Sequence, residues 1–320
     1  VTELPAGVRA MAGHGPQWAT WVESLPRLTR DVIAQWQLRP DGPATHGYCS
    51  LVLPVRTPDG AAAMLKLSFP DDESEHEHLA LRRWGGDGAV RLLSADPHRR
   101  ALLLERLGDD DLTRLTDVEA CRVVAGLYRH IHVPALPQLR TLTFYLDRWT
   151  TELAQLPRSA PIPRRLVEQS LSQCADLTAD PAATARVIHC DLHYENVLAG
   201  QRRPWLVIDP KPVNGDPHYE IAPMLWNRFD ELAGDIRSRV RRRFYTLVDA
   251  AEFDEDRARA WVVVRMVLNA MWAVQDSAGW GYRPAAGEGE SEATRGISSA
   301  GNADPGWLTT CIAVAKAVQD

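Results

Sequence analysis

The sequence lacks any excess of positive charge: 42 aspartates and glutamates against 36 lysines and arginines leave a net charge of −6. A protein that neutralises a phosphate backbone needs the opposite balance, so nucleic acid is set aside and a cationic small molecule suits the charge better. Cysteines are few. The five, Cys49, Cys121, Cys174, Cys190 and Cys311, are scattered and never in CxxC spacing, which argues for reduced thiols rather than a disulfide framework. Long apolar runs are missing too. The most apolar late stretch, Trp261 to Val274, contains Arg265 and is too short to cross a bilayer, so it reads as a buried helix. No basic segment followed by an apolar one opens the sequence at Val1-Thr2-Glu3, and the expectation is a cytoplasmic protein without membrane attachment. No internal repeat is present. What is there is 320 residues, 45% of them hydrophobic, enough for one large domain or two lobes sharing a cleft and for a core that needs no staples.

Apolar spacing predicts an amphipathic helix over Pro16–Leu38, with Pro26 bending or breaking it. Two strand-like runs, LVLPVR and AAMLKLSF, then flank Thr57-Pro58-Asp59-Gly60 and predict a hairpin with Lys66 on its second strand. Asp71–Trp84, acidic at its start, reads as a helix, ended by Gly85-Gly86-Asp87-Gly88, and the runs AVRLLS and ALLLERL as two more strands. Beyond Gly108 the spacing turns helical at Asp117–His132, Leu142–Leu156, Pro163–Leu177, Tyr219–Asp230, Arg237–Ala251, Glu255–Gln275 and Trp307–Val318. Two β-like runs, RVIHCD and PWLVIDP, interrupt that region, and Ser277–Gly306 reads as a long mobile loop. The class is α+β: a small sheet-plus-helix lobe over 1–107 and a mostly helical lobe over 108–320.

The chemistry lies in those two β-like runs. His189-Cys190-Asp191-Leu192-His193-Tyr194-Glu195-Asn196 is an HxDxxxxN loop, and Trp205-Leu206-Val207-Ile208 leads to Asp209. Phosphoryl transfer needs a carboxylate at the acceptor hydroxyl and oxygen ligands for Mg²⁺ on the phosphates. Asp191 suits the first task; Asn196 and Asp209 suit the second. A strand lysine must meet the α- and β-phosphates, held by a helix glutamate. Lys66 fills that place, with Glu73, Glu75 or Glu77 as its partner and Glu77 preferred because it leaves the apolar helix positions to the sheet. The segment Gly42–Ser50, ending in Ser50, lies where a loop must cover the phosphates, although it lacks the GxGxxG pattern. LLLERLG then supplies a hinge whose Glu105–Leu107 backbone would meet the adenine edge.

In this order, the segments RWGGDGAVRLL (83–93), LLLERL (102–107), VIHCDLHYENVLAG (187–200), PWLVIDPKPVNGDPHYE (204–220) and VLNAMW (267–272) make the chain resemble the aminoglycoside phosphotransferase branch of the bilobal protein-kinase-like fold. More narrowly, it is similar to the streptomycin 6-kinase and hydroxyurea phosphotransferase family. The resemblance implies an ATP- and Mg²⁺-dependent antibiotic-resistance kinase acting on a hydroxyl of a small molecule such as streptomycin. It also implies Asp191 as base, Asn196 and Asp209 as Mg²⁺ ligands, and an acceptor site reached by Asp191, Asp216, Glu220, Asn227, Asn269, Trp272 and Asp276. The sequence departs from it at Trp272-Ala273-Val274-Gln275-Asp276, less acidic than expected for a guanidinium-bearing acceptor, and at Lys211. These departures bear on the acceptor rather than on the reaction.

Other readings of the same residues exist. His189-x-Asp191-x-His193 is compatible with part of a metallohydrolase cluster, with His218 the only further ligand nearby. Cys190 beside a histidine invites a thiol nucleophile, against which the absence of a papain-like surround speaks. Asp216 and Glu220 suit the N-terminus of a helix starting near Pro217 as well as an acceptor. A non-catalytic nucleotide sensor, or a kinase of sugars or hydroxyurea without a resistance role, would keep the same fold.

Overall fold

The computed structural model describes residues 3–277 and 306–319; the loop expected over Ser277–Gly306 falls, apart from its ends, outside them. A short helix α1 (Ala6–Ala10) and a long one, α2 (Pro16–Gln35), precede a sheet of six strands: β1 (Arg39–Pro40), β2 (Thr45–His46), β3 (Ser50–Arg56), β4 (Ala62–Ser68), β5 (Leu92–Asp96) and β6 (Ala101–Glu105). All pairings are antiparallel, in the order β1-β3-β4-β6-β5 with β2 also on β3. Alternation along the strands divides the side chains between two cores. Leu51, Leu53 and Val55 of β3, Ala63, Leu65 and Leu67 of β4, and Ala101 and Leu103 of β6 pack with Trp21, Val22, Leu25 and Val32 of α2. Leu102 and Leu104 belong to the second core. Lys66, between Leu65 and Leu67, therefore points away from α2 and toward the cleft.

Two expectations change here. Pro26 lies inside α2 without interrupting it. Residues before it (Trp21, Val22, Leu25) and after it (Thr29, Val32) are buried together, and that packing carries the helix across the missing N–H, at about 1.5–3 kcal/mol per buried large apolar side chain. The helix predicted from Asp71 begins only at Glu77, as α3 (Glu77–Trp84). Asp71 Oδ1 accepts the Ser74 N–H at 2.7 Å, and Arg140 holds Asp72 at 3.2 Å and Glu75 at 3.3 Å; these bonds offer the backbone a turn in place of a helix.

Helices dominate afterwards: α4 (Asp117–Ile131), α5 (Leu142–Ala154), α6 (Arg164–Thr178), α7 (Ala222–Trp226), α8 (Ile236–Ala251), α9 (Glu255–Ser277) and α10 (Trp307–Ala317). Four short strands, β7 (Arg186–Ile188), β8 (Val197–Ala199), β9 (Trp205–Val207) and β10 (Val213–Gly215), stand among them. The helix expected over Tyr219–Asp230 is broken into 3-10 turns on either side of α7. Arg228 takes a left-handed φ of 55°, and the Asn227 carbonyl is engaged by Arg243 Nη1 at 2.6 Å instead of by the helix. α9 is buried on all sides from Trp261 to Ala273, Arg265 and Asn269 included, and packs against α5, α6 and α10. No helix among the described residues is long and apolar enough to cross a membrane.

Candidate active site

Two antiparallel ladders set the geometry. In β8–β9 Val197 pairs with Val207, so the residues just outside the ladder, Asn196 and Ile208–Asp209, emerge at one end, and the Ile208 N–H donates to the Asn196 carbonyl at 2.9 Å. In β7–β10 Ile188 pairs with Val213, and the Lys211 N–H donates to the His189 carbonyl at 2.9 Å. The segments 189–196 and 208–212 are therefore facing arcs clamped by the same strands. Each contains a left-handed residue, Cys190 (φ 66°) and Asp209 (φ 54°), a conformation that costs a non-glycine residue about 1–3 kcal/mol and clusters where geometry is functional.

Of the three glutamates before and within α3, Glu77 reaches Lys66, with both carboxylate oxygens 2.8 Å from Nζ. The same ammonium lies 2.5 Å from Asp209 Oδ1. Burial by itself would lower the lysine pKa, but the charges of Asp209 and Glu77 hold it above its ordinary value. Burial would likewise raise Asp209, yet Lys211 and Lys66 hold its carboxyl well below the usual range. Strand and helix thus deliver a charged lysine to a charged aspartate across the cleft.

Beneath Asp191 the HxDxxxxN loop is tied down by buried groups. Glu220 Oε1 accepts the N–H of His189 and, at 2.7 Å, that of Cys190, while Oε2 lies 2.8 Å from His132 Nε2. His189 donates from Nε2 to the Ile208 carbonyl at 2.8 Å and accepts the Asp191 N–H on Nδ1 at 3.2 Å; burial keeps its imidazole below the ordinary pKa and neutral. Arg265 of α9, fully buried, donates to the Cys190 carbonyl at 3.4 Å and lies 4.6 Å above the Tyr219 ring. Asp191 is 6% exposed, and its Oδ1 has no hydrogen-bond partner. It is an acceptor atom left open in a loop whose backbone is held by hydrogen bonds. Replacing Glu220 by glutamine removes one acceptor from three donors; the expected result is a loss of about 1–3 kcal/mol in stability and a fall in turnover larger than any change in nucleotide affinity, read by thermal melts beside kinetics.

These contacts dispose of two other readings. Both ring nitrogens of His189 are used, and His218 spends Nδ1 on Asp216 at 2.7 Å and Nε2 on the Asp254 N–H at 3.2 Å, so the histidines do not converge; among the described residues no group of three His, Cys, Asp or Glu could hold a metal. The Cys190 thiol is pushed well up by burial, the opposite of an activated nucleophile.

The remaining sequence candidates are spread over several surroundings. Asp216, 1% exposed, caps the turn after it through the His218 N–H and accepts from Trp261 Nε1 at 2.7 Å and Arg257 Nε at 2.6 Å. Like Glu220, it is committed to the protein's own groups rather than turned to an acceptor. Asn227 joins a cluster in which Arg243 also meets Asp117, which accepts from Tyr194. Asn269, 1% exposed, has both amide atoms without a partner. Trp272 meets Trp149 edge to face at 5.0 Å. The side chain of Asp276 lies outside the described residues. Ser50 opens β3 beneath a turn closed by the Gly47 N–H on the Ser50 carbonyl at 3.0 Å, and a Cβ at Gly47 would come within 2.8 Å of Ser50 Oγ. Glu105 is clamped by Arg202 (Nη2 to Oε1 2.6 Å) and by the Arg91 N–H at 2.8 Å, and Leu107 packs on the larger core.

The donor set suits Mg²⁺. Asn196 Nδ2 donates to the Asp191 carbonyl at 2.7 Å, which leaves its Oδ1 as an oxygen donor beside Asp209, and one or two protein oxygens completed by phosphates is how this hard cation is held. Sequence reasoning missed Arg265, whose only signal was a lone charge in an apolar helix, and did not see what Glu73 does. Glu73 makes no hydrogen bond or ion pair among the described residues; burial and then the neighbouring Asp71 charge raise its carboxyl well above the usual range, while Lys211, Asp191 and Arg265 act on it from the cleft.

A family model described as aminoglycoside/hydroxyurea antibiotic resistance kinase matches residues 35–277. The chain is 41% identical over 270 residues to the streptomycin 6-kinase of Streptomyces griseus, covering 82% of this chain and 87% of that one. It is 41% identical over 289 residues to the hydroxyurea phosphotransferase of Kitasatospora aureofaciens, covering 86% and 82%. Its fold matches that of a thermostable mutant of an aminoglycoside phosphotransferase solved in ternary complex with ADP and hygromycin B, at a TM-score of 0.53 and 14% identity over 91% of this chain and 98% of that one.

Proposed function

The chain belongs to the aminoglycoside/hydroxyurea antibiotic resistance kinase family, and from that premise we propose that it moves the γ-phosphate of ATP, used with Mg²⁺, to a hydroxyl of a cationic small molecule, streptomycin first among them. The observation that carries this is the convergence of an unpartnered Asp191 oxygen with Asn196, Asp209 and the Lys66–Glu77 pair in one cleft.

In the proposed reaction Asp191 orients the acceptor hydroxyl and takes its proton as the acceptor oxygen bonds to phosphorus; the bond from phosphorus to the bridging oxygen breaks, and ADP leaves with that electron pair. Lys66, presented by β4 and held by Glu77, meets the α- and β-phosphates. Asn196 and Asp209 would hold Mg²⁺, which would neutralise charge on the phosphates. The residues contribute placement and fixed charge rather than covalent chemistry.

A cationic acceptor is supported from an unexpected side. Few acids follow Trp272, but the loop before α3 brings Glu73 within electrostatic reach of Asp71 and Asp191; a guanidinium bound beside its raised carboxyl favours the ionised form and gains a charge-assisted partner. Glu73→Gln is expected to raise the KM for streptomycin about tenfold, the value of one charge-assisted hydrogen bond, with the KM for ATP unchanged. The direct test supplies radiolabelled ATP with streptomycin, other aminocyclitols, hydroxyurea and simple sugars. Labelled streptomycin is the expected product; labelling of hydroxyurea or a sugar alone would replace the acceptor, and labelling of none would overturn the reading.

A further inference from the structure

Lys211 is a second buried ammonium at this site, and the reaction above leaves it without a task. Its side chain is 8% exposed, and Nζ lies 3.3 Å from each carboxylate oxygen of Asp209. The backbone, not that contact, fixes its place: its N–H is bonded to the His189 carbonyl, Pro210 and Pro212 flank it, and Val213 pairs with Ile188. Lys211 therefore belongs to both arcs, the one that ends in Asp209 and the one that carries Asp191.

An ion pair with Asp209 accounts for its charge but not for its place. Asp209 already holds Lys66 at 2.5 Å, and Lys66 is neutralised by Glu77 as well. Together Lys66 and Lys211 balance Asp209 and Glu77 in charge, yet Lys211 meets Asp209 at 3.3 Å where Lys66 meets it at 2.5 Å. Its wider surroundings are more telling. Besides Asp209, the carboxylates of Asp71 and Asp191 act on Nζ, and Lys211 acts in turn on Glu73 and on Cys49 beside the Gly47 turn. An ammonium 3.3 Å from the metal-ligand aspartate and within electrostatic reach of the base is placed to meet a group that passes between them. With three N–H donors and only two oxygens before it, it has a donor to spare.

Resting on the kinase reading, we propose that Lys211 is a catalytic residue: in the empty cleft its ammonium lies on Asp209, and with nucleotide bound it engages the γ-phosphoryl oxygens and holds them through transfer. No bond to Lys211 forms or breaks, and it keeps its protons; the hydroxyl proton still passes to Asp191 and the electron pair to ADP. Its contribution is fixed positive charge where the transition state spreads negative charge over the moving group's oxygens. Lys66, committed to the α- and β-phosphates, does not duplicate it.

The distinguishing property is preference for the third phosphate. ADP and a non-hydrolysable ATP analogue, each with Mg²⁺, are titrated calorimetrically into the wild-type protein, Lys211→Met and Lys211→Arg. Lys211→Met is expected to weaken the analogue about 10- to 100-fold, the value of a charge-assisted contact, and ADP by less than about threefold, with ADP binding also reporting an intact fold. Lys211→Arg, which returns a cation to the same place, is expected to recover part of the loss. Equal weakening of both nucleotides, or of neither, overturns the role of Lys211 and leaves the kinase reading standing. A wild-type protein that binds neither nucleotide overturns the kinase reading, and this inference with it.

Discussion

Asp191→Asn is expected to lower phosphate transfer by about 10²- to 10⁴-fold, the usual share of a positioned general base, while ATP affinity changes by less than about threefold. The separation follows from the frame around the residue. Glu220 holds the His189 and Cys190 amides, His189 holds the Asp191 amide, and Asn196 holds the Asp191 carbonyl, so the loop keeps its path when the side chain changes. What is lost is the carboxylate whose Oδ1 accepts no hydrogen bond from the protein. An amide can still touch a hydroxyl but takes no proton from it. Steady-state kinetics with streptomycin, set beside calorimetric ATP binding, measures both quantities; undiminished turnover would remove Asp191 from the role of base.

Asp209→Ala is expected to abolish the Mg²⁺-dependent part of nucleotide binding, with a loss of more than about 10²-fold in affinity, and to destabilise the protein at neutral pH. The first effect comes from losing an oxygen ligand beside Asn196. The second comes from the two ammoniums: Lys66 keeps Glu77, but Lys211 loses the carboxylate at 3.3 Å that faces it. Because Lys211 and Lys66 hold the Asp209 pKa below its unfolded value, the carboxylate contributes its full stability above about pH 3.9, the unfolded aspartate value, and loses it as pH falls further. The stability gap between wild type and variant should therefore be widest near pH 7 and narrow in acid. Nucleotide titrations with and without EDTA, together with melts across pH, follow the two effects; an affinity equally dependent on Mg²⁺ in the variant would contradict the ligand role.

Much of the larger plan was legible in the sequence because it is written in short-range patterns. The alternation around Lys66 shows the hairpin and, through Leu65 and Leu67, which face the lysine takes. The apolar spacing of α4, α6, α8 and α9 falls within a residue or two of the observed helices. The order of lysine strand, acidic segment, HxDxxxxN loop and IDP was enough to suggest the family. Where local pattern misled, a distant partner intervened: Arg140 holds Asp72 and Glu75 in a turn, Arg243 takes the Asn227 carbonyl, and the packing of α2 carries it past Pro26.

By itself, then, the sequence determined the reaction class and nominated the residues for it, since phosphoryl transfer demands those groups in that order along two short strands. Only the tertiary structure decided how each charge is spent. Asp216 and Glu220 stand in a motif as conspicuous as the one with Asp191, yet Trp261, Arg257 and His132 arrive from distant segments to occupy them, while no group donates a hydrogen bond to Asp191 Oδ1. Glu73, one of three candidate partners for Lys66 in the sequence, and Lys211, a departure from the family pattern there, are both drawn into the electrostatics of Asp191. A carboxylate or an ammonium acquires its role from the charges packed around it, and those neighbours come from segments far apart in the chain.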